Sequence, residues 1–508
     1  MRRKMIRLLS CLITLSIMVF GLARMTLLME RKASPEKYAD FFSQTQDFDV
    51  LFLGSSHVIN AVYPMELWKD YGIVSYNLGG HASQIPTTYW TMENALDYTH
   101  PKLVVIDCLA ISSNRKCFEI FSYLHLSLDA FPLNMTKIKA IWDLLDDPVL
   151  ERDIQNGNAL ESDEPRTKIG LLWDYSVYHS RWAELSQDDF SPSINKEKGA
   201  ESRIAVKRNE LNKIPPSQKT KPGTTSDIYL RKMIEDCQAR GISVLLTFLP
   251  FPANESQQMD ANYVYDLAQE YGVEYINFLD MDIIDYQTDL YDESSHLNPS
   301  GARKITDYLG NFLVNHYGIE DQRKNASYSS WHQDYERYCL LKNNNLVKNN
   351  NIVEYLMLLS GDDISIAMDV RNKDIFHNKW IKNLLSNIGI NAELLNESTD
   401  FIIVQDKGKR VSILDNFRED GNVIKSEVGE IRIVFDTDGH LHEGRANTYD
   451  LIVNDELCLT GSIDDKTSLR INVARGHNTI DSVSFHYTVD PDTTIVNTSS
   501  VERDAHSM

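Results

Sequence analysis

The chain opens with a basic cluster, Arg2, Arg3, Lys4 and Arg7, followed by an uncharged apolar run from Leu8 to Ala23 that Arg24 interrupts and Met25 to Met29 resumes. A spanning helix needs about 20 mostly apolar residues. This stretch supplies them, with one near-terminal arginine able to reach the headgroups. Residues 1–30 are therefore read as an uncleaved signal anchor. Basic residues ahead of the run place the amino terminus in the cytoplasm and the rest outside, as a single-pass protein of a cell membrane. The alternative is a cleaved signal peptide ending at Gly21-Leu22-Ala23. The apolar pattern continues past that site, which favours the anchor, and both readings export the remainder.

From residue 45 the pattern changes to short solid apolar runs separated by amphipathic stretches. Val50 to Leu53, Ile73 to Leu78 and Leu103 to Ile106 read as strands, with helices over Pro64 to Trp68 and Thr87 to Tyr98 between them. This βαβαβ order predicts a parallel sheet covered on both faces. Residues 111–225 break the pattern and read as an insertion. It holds helices over Lys137 to Leu145 and Ile169 to Trp182, and an aromatic run (Trp173, Tyr175, Tyr178, Trp182) expected to pack inside it. A polar stretch from Asn195 to Ser226 follows. The sheet pattern resumes with a helix over Ile228 to Arg240, a strand over Ile242 to Phe248, a helix over Tyr263 to Tyr271 and a strand over Val273 to Asn277. Asn298 and Pro299 then suit the cap and first turn of a last helix, whose apolar face carries Ala302, Ile305, Leu309, Phe312 and Leu313.

The organisation that follows is an α/β domain over 45–318, a polar linker over 319–351 and a β-rich accessory domain over 352–495. The accessory domain shows alternating runs such as Ile364 to Met368, Phe401 to Val404, Ile431 to Phe435, Leu469 to Val473 and Val483 to Tyr487, with one helix over Ile381 to Ile388.

Composition narrows the function. At 508 residues with 42% hydrophobic content the chain can build more than one core. Its net charge of -22 and lack of a basic stripe exclude a nucleic-acid partner. The six cysteines show no CxxC and no paired close spacing, so neither a zinc site nor a disulfide framework is expected.

Two stretches carry candidate chemistry. Gly54-Ser55-Ser56-His57 follows the first strand, at the sheet edge where open α/β folds place their sites. Far downstream stands Asp292-Glu293-Ser294-Ser295-His296-Leu297-Asn298-Pro299-Ser300-Gly301. Covalent ester chemistry needs a nucleophile, a base, an orienting acid and oxyanion donors. Ser56 fits the first role, with Ser55 as a structural turn residue and back-up, and His296 fits the second. Asp292 or Glu293 fits the third, with Asp292 preferred. The backbone N–H groups of Ser56 and of Gly79 or Gly80 fit the fourth. His57 and His81 are read as loop histidines at the rim of the cleft, and no cofactor or metal is expected.

Gly54-Ser55-Ser56, Asn77-Leu78-Gly79 and the Asp292 to Gly301 block resemble, in order, the motifs of the SGNH/GDSL hydrolase superfamily over residues 45–318. The resemblance implies a flavodoxin-like three-layer parallel sheet, with Ser56 as nucleophile, Gly79 as oxyanion donor and His296 as base. The family's Gly-x-Asn-Asp block is missing after the third strand, where Ile106-Asp107-Cys108-Leu109 stands. Its oxyanion asparagine has only Asn114 and Gln84 as weak stand-ins. Looser relatives lacking this block include membrane-anchored acyltransferases that modify teichoic acids or exopolysaccharides. Leu469 to Val473, Asp481 to Phe485 and the Asp362 to Ile390 region are faintly similar to the interleukin-like EMT inducer (ILEI) domain, a lectin-like module.

The expected activity is thus a membrane-tethered serine esterase or O-acyltransferase acting on acyl groups, acetyl foremost, of envelope or extracellular polysaccharide. An acylated glycan is the expected substrate, and a membrane protein supplying acyl groups is the expected partner of a transferase. The alternative is a catalytically inactive SGNH-type fold retained as a glycan-binding surface protein.

Overall fold

The computed structural model describes the chain except residues 1, 30–34, 45, 161–165, 174, 191–194, 222, 361–362, 371–374, 376–377, 392–400, 408–409, 416–422, 441–446, 463–467, 490–495 and 504–508. Asp362 and residue 495, which bound expected segments, lie outside the described residues. The chain divides into two compact units. The first comprises Met1–Glu201, Leu211–Ile283 and Ile305–Tyr335, and the second Ser202–Glu210, Ile284–Lys304 and Glu336–Met508.

In the first unit, α1 (Arg2–Met29) contains one segment, Lys4–Thr26, long and apolar enough to cross a membrane. Its apolar side chains, Leu8, Ile13 and Phe20 among them, are exposed, so the helix presents apolar surface all round. After α2 (Pro35–Ser43), the expected parallel sheet forms from β1 (Val50–Leu53), β2 (Ser75–Asn77), β3 (Leu103–Asp107), β4 (Ser243–Phe248) and β5 (Glu274–Asn277), in the order β2-β1-β3-β4-β5. β1 and β3 are buried along their whole length, which is why both read as solid apolar runs rather than alternating ones.

The connecting helices are α3 (Ser56–Ala61), α4 (Pro64–Tyr71), α5 (Ile85–Leu96), α11 (Thr225–Ala239) and α12 (Glu255–Tyr271), with α6 to α10 in the insertion. These last are α6 (Phe121–Leu128), α7 (Met135–Leu144), α8 (Pro148–Gln155), α9 (Lys168–Leu172) and α10 (Tyr175–Tyr178). α12 begins eight residues before the expected Tyr263, at a capping box in which Asn254 and Gln257 satisfy each other's backbone N–H groups.

Two expectations for this part of the chain need correction. The single helix over Ile169 to Trp182 is broken into α9, α10 and a 3₁₀ turn at His179–Ala183, with Trp173 at φ -139°, ψ 86°. A stretch dense in aromatic and β-branched residues has little helix propensity to hold it together. Nor does its aromatic run pack inside. Tyr178 donates to Asp129 at 2.8 Å, but Trp173 and Trp182 are 46% and 70% exposed.

α13 (Pro299–Tyr317) buries Ala302, Ile305, Leu309 and Leu313 along the predicted face. The polar stretch 319–351, read as a linker, holds α14 (Ser330–Lys348), because Trp331, Tyr338 and Leu346 recur at seven and eight residues and are buried.

The second unit is β-rich. A six-stranded sheet runs β15-β14-β13-β6-β7-β8 and a four-stranded one β12-β11-β10-β9, all pairs antiparallel. The strands are β6 (Ser365–Val370), β7 (Phe401–Asp406), β8 (Arg410–Asp415), β9 (Val423–Ser426), β10 (Gly429–Asp436), β11 (Thr448–Val453), β12 (Glu456–Ser462), β13 (Ser468–Arg475), β14 (Asn478–Val489) and β15 (Val496–Arg503). Alternation puts two cores on the two faces of the larger sheet. Met368, Ile471 and Phe485 pack with α15 (Ile352–Leu358) and α16 (Lys379–Asn387), while Ala367, Ile402 and Val404 pack with Ile431, Tyr449 and Leu451 of the smaller sheet.

Candidate functional site

The serine stretch lies in the first unit, where β1 turns into α3. Ser55 caps α3, its Oγ accepting from the His57 N–H at 3.3 Å, so the structural role expected of Ser55 is the one it fills. Ser56 is the first helical residue and is partly exposed. The sharp turn rests on Gly54 at φ +154°. A Cβ there would stand 2.6 Å from Val58 Cγ2 and 2.9 Å from Asp107 Cβ.

The structure brings Asn77 to Gly80 against this turn. Gly80 N–H donates to the Gly54 carbonyl at 2.9 Å, and a Cβ on Gly79 would come within 2.8 Å of the Ser55 carbonyl oxygen. Asn77, fully buried, donates from Nδ2 to the Val58 and Val62 carbonyls at 2.7 and 2.9 Å and accepts the Gly79 N–H at 3.0 Å. Both glycine N–H groups expected to face a substrate oxygen are thus engaged within the protein. Ala82 (φ 51°) and Ala110 (φ 64°), in the loops leaving β2 and β3, occupy left-handed backbone that alanine rarely adopts. Strain of this kind gathers around ligand sites.

Three neighbours were not legible as site residues. Lys37 of α2 is buried and its ammonium donates to the Gly79 carbonyl. Desolvation lowers its pKa to about 7, against an opposing pull from Glu201. Glu201 also pairs with His81 Nε2 at 2.9 Å. Asp107, ending β3 beside Gly54, accepts the Leu249 N–H at 2.9 Å, and burial raises its pKa to about 7. A buried lysine and aspartate look like surface residues in sequence, and only the sheet edge assembles them here. His57 is buried edge-on to Phe251 at 4.7 Å, not at a rim. Asn114 and Gln84 line a separate cavity with Ser113, Arg115 and Asp153, and Asn114 Oδ1 accepts the Thr225 N–H at 3.2 Å. Ser56 and Gly79 are not among that cavity's lining residues.

The histidine stretch lies in the second unit. Asp292, not the exposed Glu293, holds the ring: its Oδ2 stands 2.5 Å from His296 Nδ1. Asp292 Oδ1 accepts the backbone N–H groups of Ser294, Ser295 and His296 at 3.1, 2.7 and 3.0 Å. Burial pushes the Asp292 carboxyl up. The His296 ring and these N–H groups outweigh it, holding the carboxyl well below the usual carboxylate range. Ionised Asp292 accepts the hydrogen bond that His296 Nδ1–H donates, which leaves Nε2 as the ring's proton-accepting nitrogen.

The loop itself is tightly held. Leu290 pairs with Leu297, and the Tyr291 N–H donates to the His296 carbonyl at 2.8 Å. Buried Asn298 donates to the carbonyls of Ala205, Thr288 and Leu290, and accepts the Ser300 and Gly301 N–H groups as the cap of α13. The Glu293 carbonyl accepts from Asn209 Nδ2 at 2.5 Å.

Comparison of the chain with protein-family models, with curated proteins and with solved structures returns no match.

Proposed function

We propose that the protein is a membrane-tethered serine esterase or O-acyltransferase of SGNH type, acting on acyl groups of envelope or extracellular polysaccharide. The observation that carries this reading is the Asp292–His296 pair, a base held in the proton-accepting tautomer by an ionised carboxylate. The stitched turn of Gly54, Ser55, Ser56 and Gly80 supports it from the serine side.

In this mechanism His296 Nε2 takes the Ser56 hydroxyl proton as Oγ attacks the acyl carbon. The ester C–O bond breaks, and the leaving sugar oxygen takes the proton from Nε2. Water or an acceptor hydroxyl then attacks the acyl-Ser56 ester and loses its proton to Nε2; the acyl carbon–Oγ bond breaks, and Oγ takes that proton back from Nε2. For Gly79 N–H to stabilise the oxyanion it must exchange Asn77 Oδ1 for the substrate oxygen. The test is labelling of the full-length protein by a fluorophosphonate probe. Label on wild type that disappears in Ser56→Ala and His296→Ala is the expected result. Undiminished label in either variant rejects the proposal. Acetate release from acetylated polysaccharide, with and without a glycan acceptor, then separates hydrolysis from transfer.

A second reading, a catalytically silent glycan-binding protein, is favoured by one observation: the Gly79 and Gly80 N–H groups are both engaged and Asp107 stands where the third block would be. Glycan binding with neither label nor acetate release would select it.

A further inference from the structure

The insertion holds large apolar side chains that its own core leaves uncovered. Trp182 is 70% exposed, Phe190 69% and Ile169 68%. Singly, such residues need no explanation. Trp182 and Phe190 have a common neighbour. Arg181 Nη1 donates to the Met29 carbonyl at 2.9 Å, and Arg181 Nη2 pairs with Asp189 at 2.8 Å. Trp182 and Phe190 therefore each follow, by one residue, a member of the ion pair that grips the end of α1. α10 and both 3₁₀ turns, His179–Ala183 and Gln187–Phe190, touch α1.

The depth of this contact can be worked out. The apolar span ends at Thr26, and Met29 is three residues on. At about 1.5 Å per residue, Met29 lies about 4.5 Å beyond the span. The interfacial layer on each side of the hydrocarbon is about 5–8 Å thick, half the difference between the core and full thicknesses. Arg181 and its neighbours then stand within the headgroup layer, where tryptophan is enriched because its ring is apolar and its N–H is not. A guanidinium beside it suits the same layer.

We propose that the insertion is seated in the headgroup layer of the bilayer that α1 crosses, with Trp182 and Phe190 as its anchors. The seat fixes the first unit against the membrane surface at a second point besides the helix. It rests on the reading of α1 as a spanning helix, and the experiment keeps the two apart.

Full-length protein is reconstituted in phosphatidylethanolamine–phosphatidylglycerol vesicles containing lipids brominated either near the headgroup or deep in the acyl chain, and tryptophan emission is recorded. Labelling of Cys11, within the span, by a membrane-impermeant maleimide is mapped by mass spectrometry in the same vesicles. Cys11 protected, with shallow-bromine quenching that roughly halves in Trp182→Phe, is the expected result. Cys11 protected with quenching unchanged in Trp182→Phe overturns the seat alone. A labelled Cys11 overturns the span and the seat with it. Emission from Trp182 that no lipid quenches, in a particle of dimeric mass, assigns the patch to a second copy and likewise overturns the seat.

Discussion

Replacing Lys37 by methionine tests whether the glycine loop is held by a buried amine. Lys37 is 3% exposed and donates to the Gly79 carbonyl. Burial, partly offset by Glu201, moves its titration from 10.5 in the unfolded chain to about 7 in the folded one. Between those values the unfolded chain holds one proton more than the folded chain. Stability therefore rises with pH across this window, by about 1.4 kcal/mol per pH unit or about 4 kcal/mol from pH 7 to 10. Below pH 7 both states are protonated, and the contribution is flat at its lowest. Methionine removes this dependence but leaves the Gly79 carbonyl without its donor, at a cost of about 1–3 kcal/mol at every pH. Lys37→Met should accordingly be the more stable protein at pH 6 and the less stable at pH 10. The assay is urea unfolding followed by tryptophan emission, since six of the seven tryptophans lie in the first unit. A wild-type-minus-variant difference that stays flat from pH 7 to 10 would show that Lys37 does not titrate in this window and refute the reasoning.

Three further outcomes are expected. Gly54→Ala puts a Cβ 2.6 Å from Val58 Cγ2 on a left-handed backbone, so it should cost about 3 kcal/mol and lower the melting temperature, with loss of fluorophosphonate label; wild-type stability would disprove the close packing. Asn298→Ala removes three carbonyl partners and the cap of α13, a loss of about 2–4 kcal/mol, read as faster exchange of the backbone N–H groups at positions 291 and 298; unchanged exchange would mean the loop is held elsewhere. Asp107 titrates near 7 when folded against 3.8 unfolded, so its protonated form favours the fold below pH 3.8 and that advantage is lost as pH rises to 7. Asp107→Asn should therefore gain on wild type by up to about 4 kcal/mol between pH 4 and 7, and parallel pH profiles in urea unfolding would count against it.

Much of the scaffold is legible because burial leaves local marks. The solid apolar runs of β1 and β3, the alternation of β10 and β13, and the caps at Asn298 and Pro299 each announce their element within a few residues. α14 was hidden by its asparagines, although Trp331, Tyr338 and Leu346 carried its period. Spacing leans to Asp292 over Glu293 but leaves both open. The choice depends on a loop conformation in which one carboxylate oxygen gathers three backbone N–H groups and the other meets the ring.

The sequence alone determined the apolar first helix, the parallel order of the first sheet and the β-rich character of the carboxyl-terminal part, since each follows from hydrophobic period over a short window. Tertiary structure decided that Lys37 and Asp107 are buried beside the serine turn, that the Gly79 and Gly80 N–H groups have partners inside the protein, and that Trp182 faces outward. These depend on contacts between residues tens of positions apart, and no local pattern encodes which side chain a distant segment will cover.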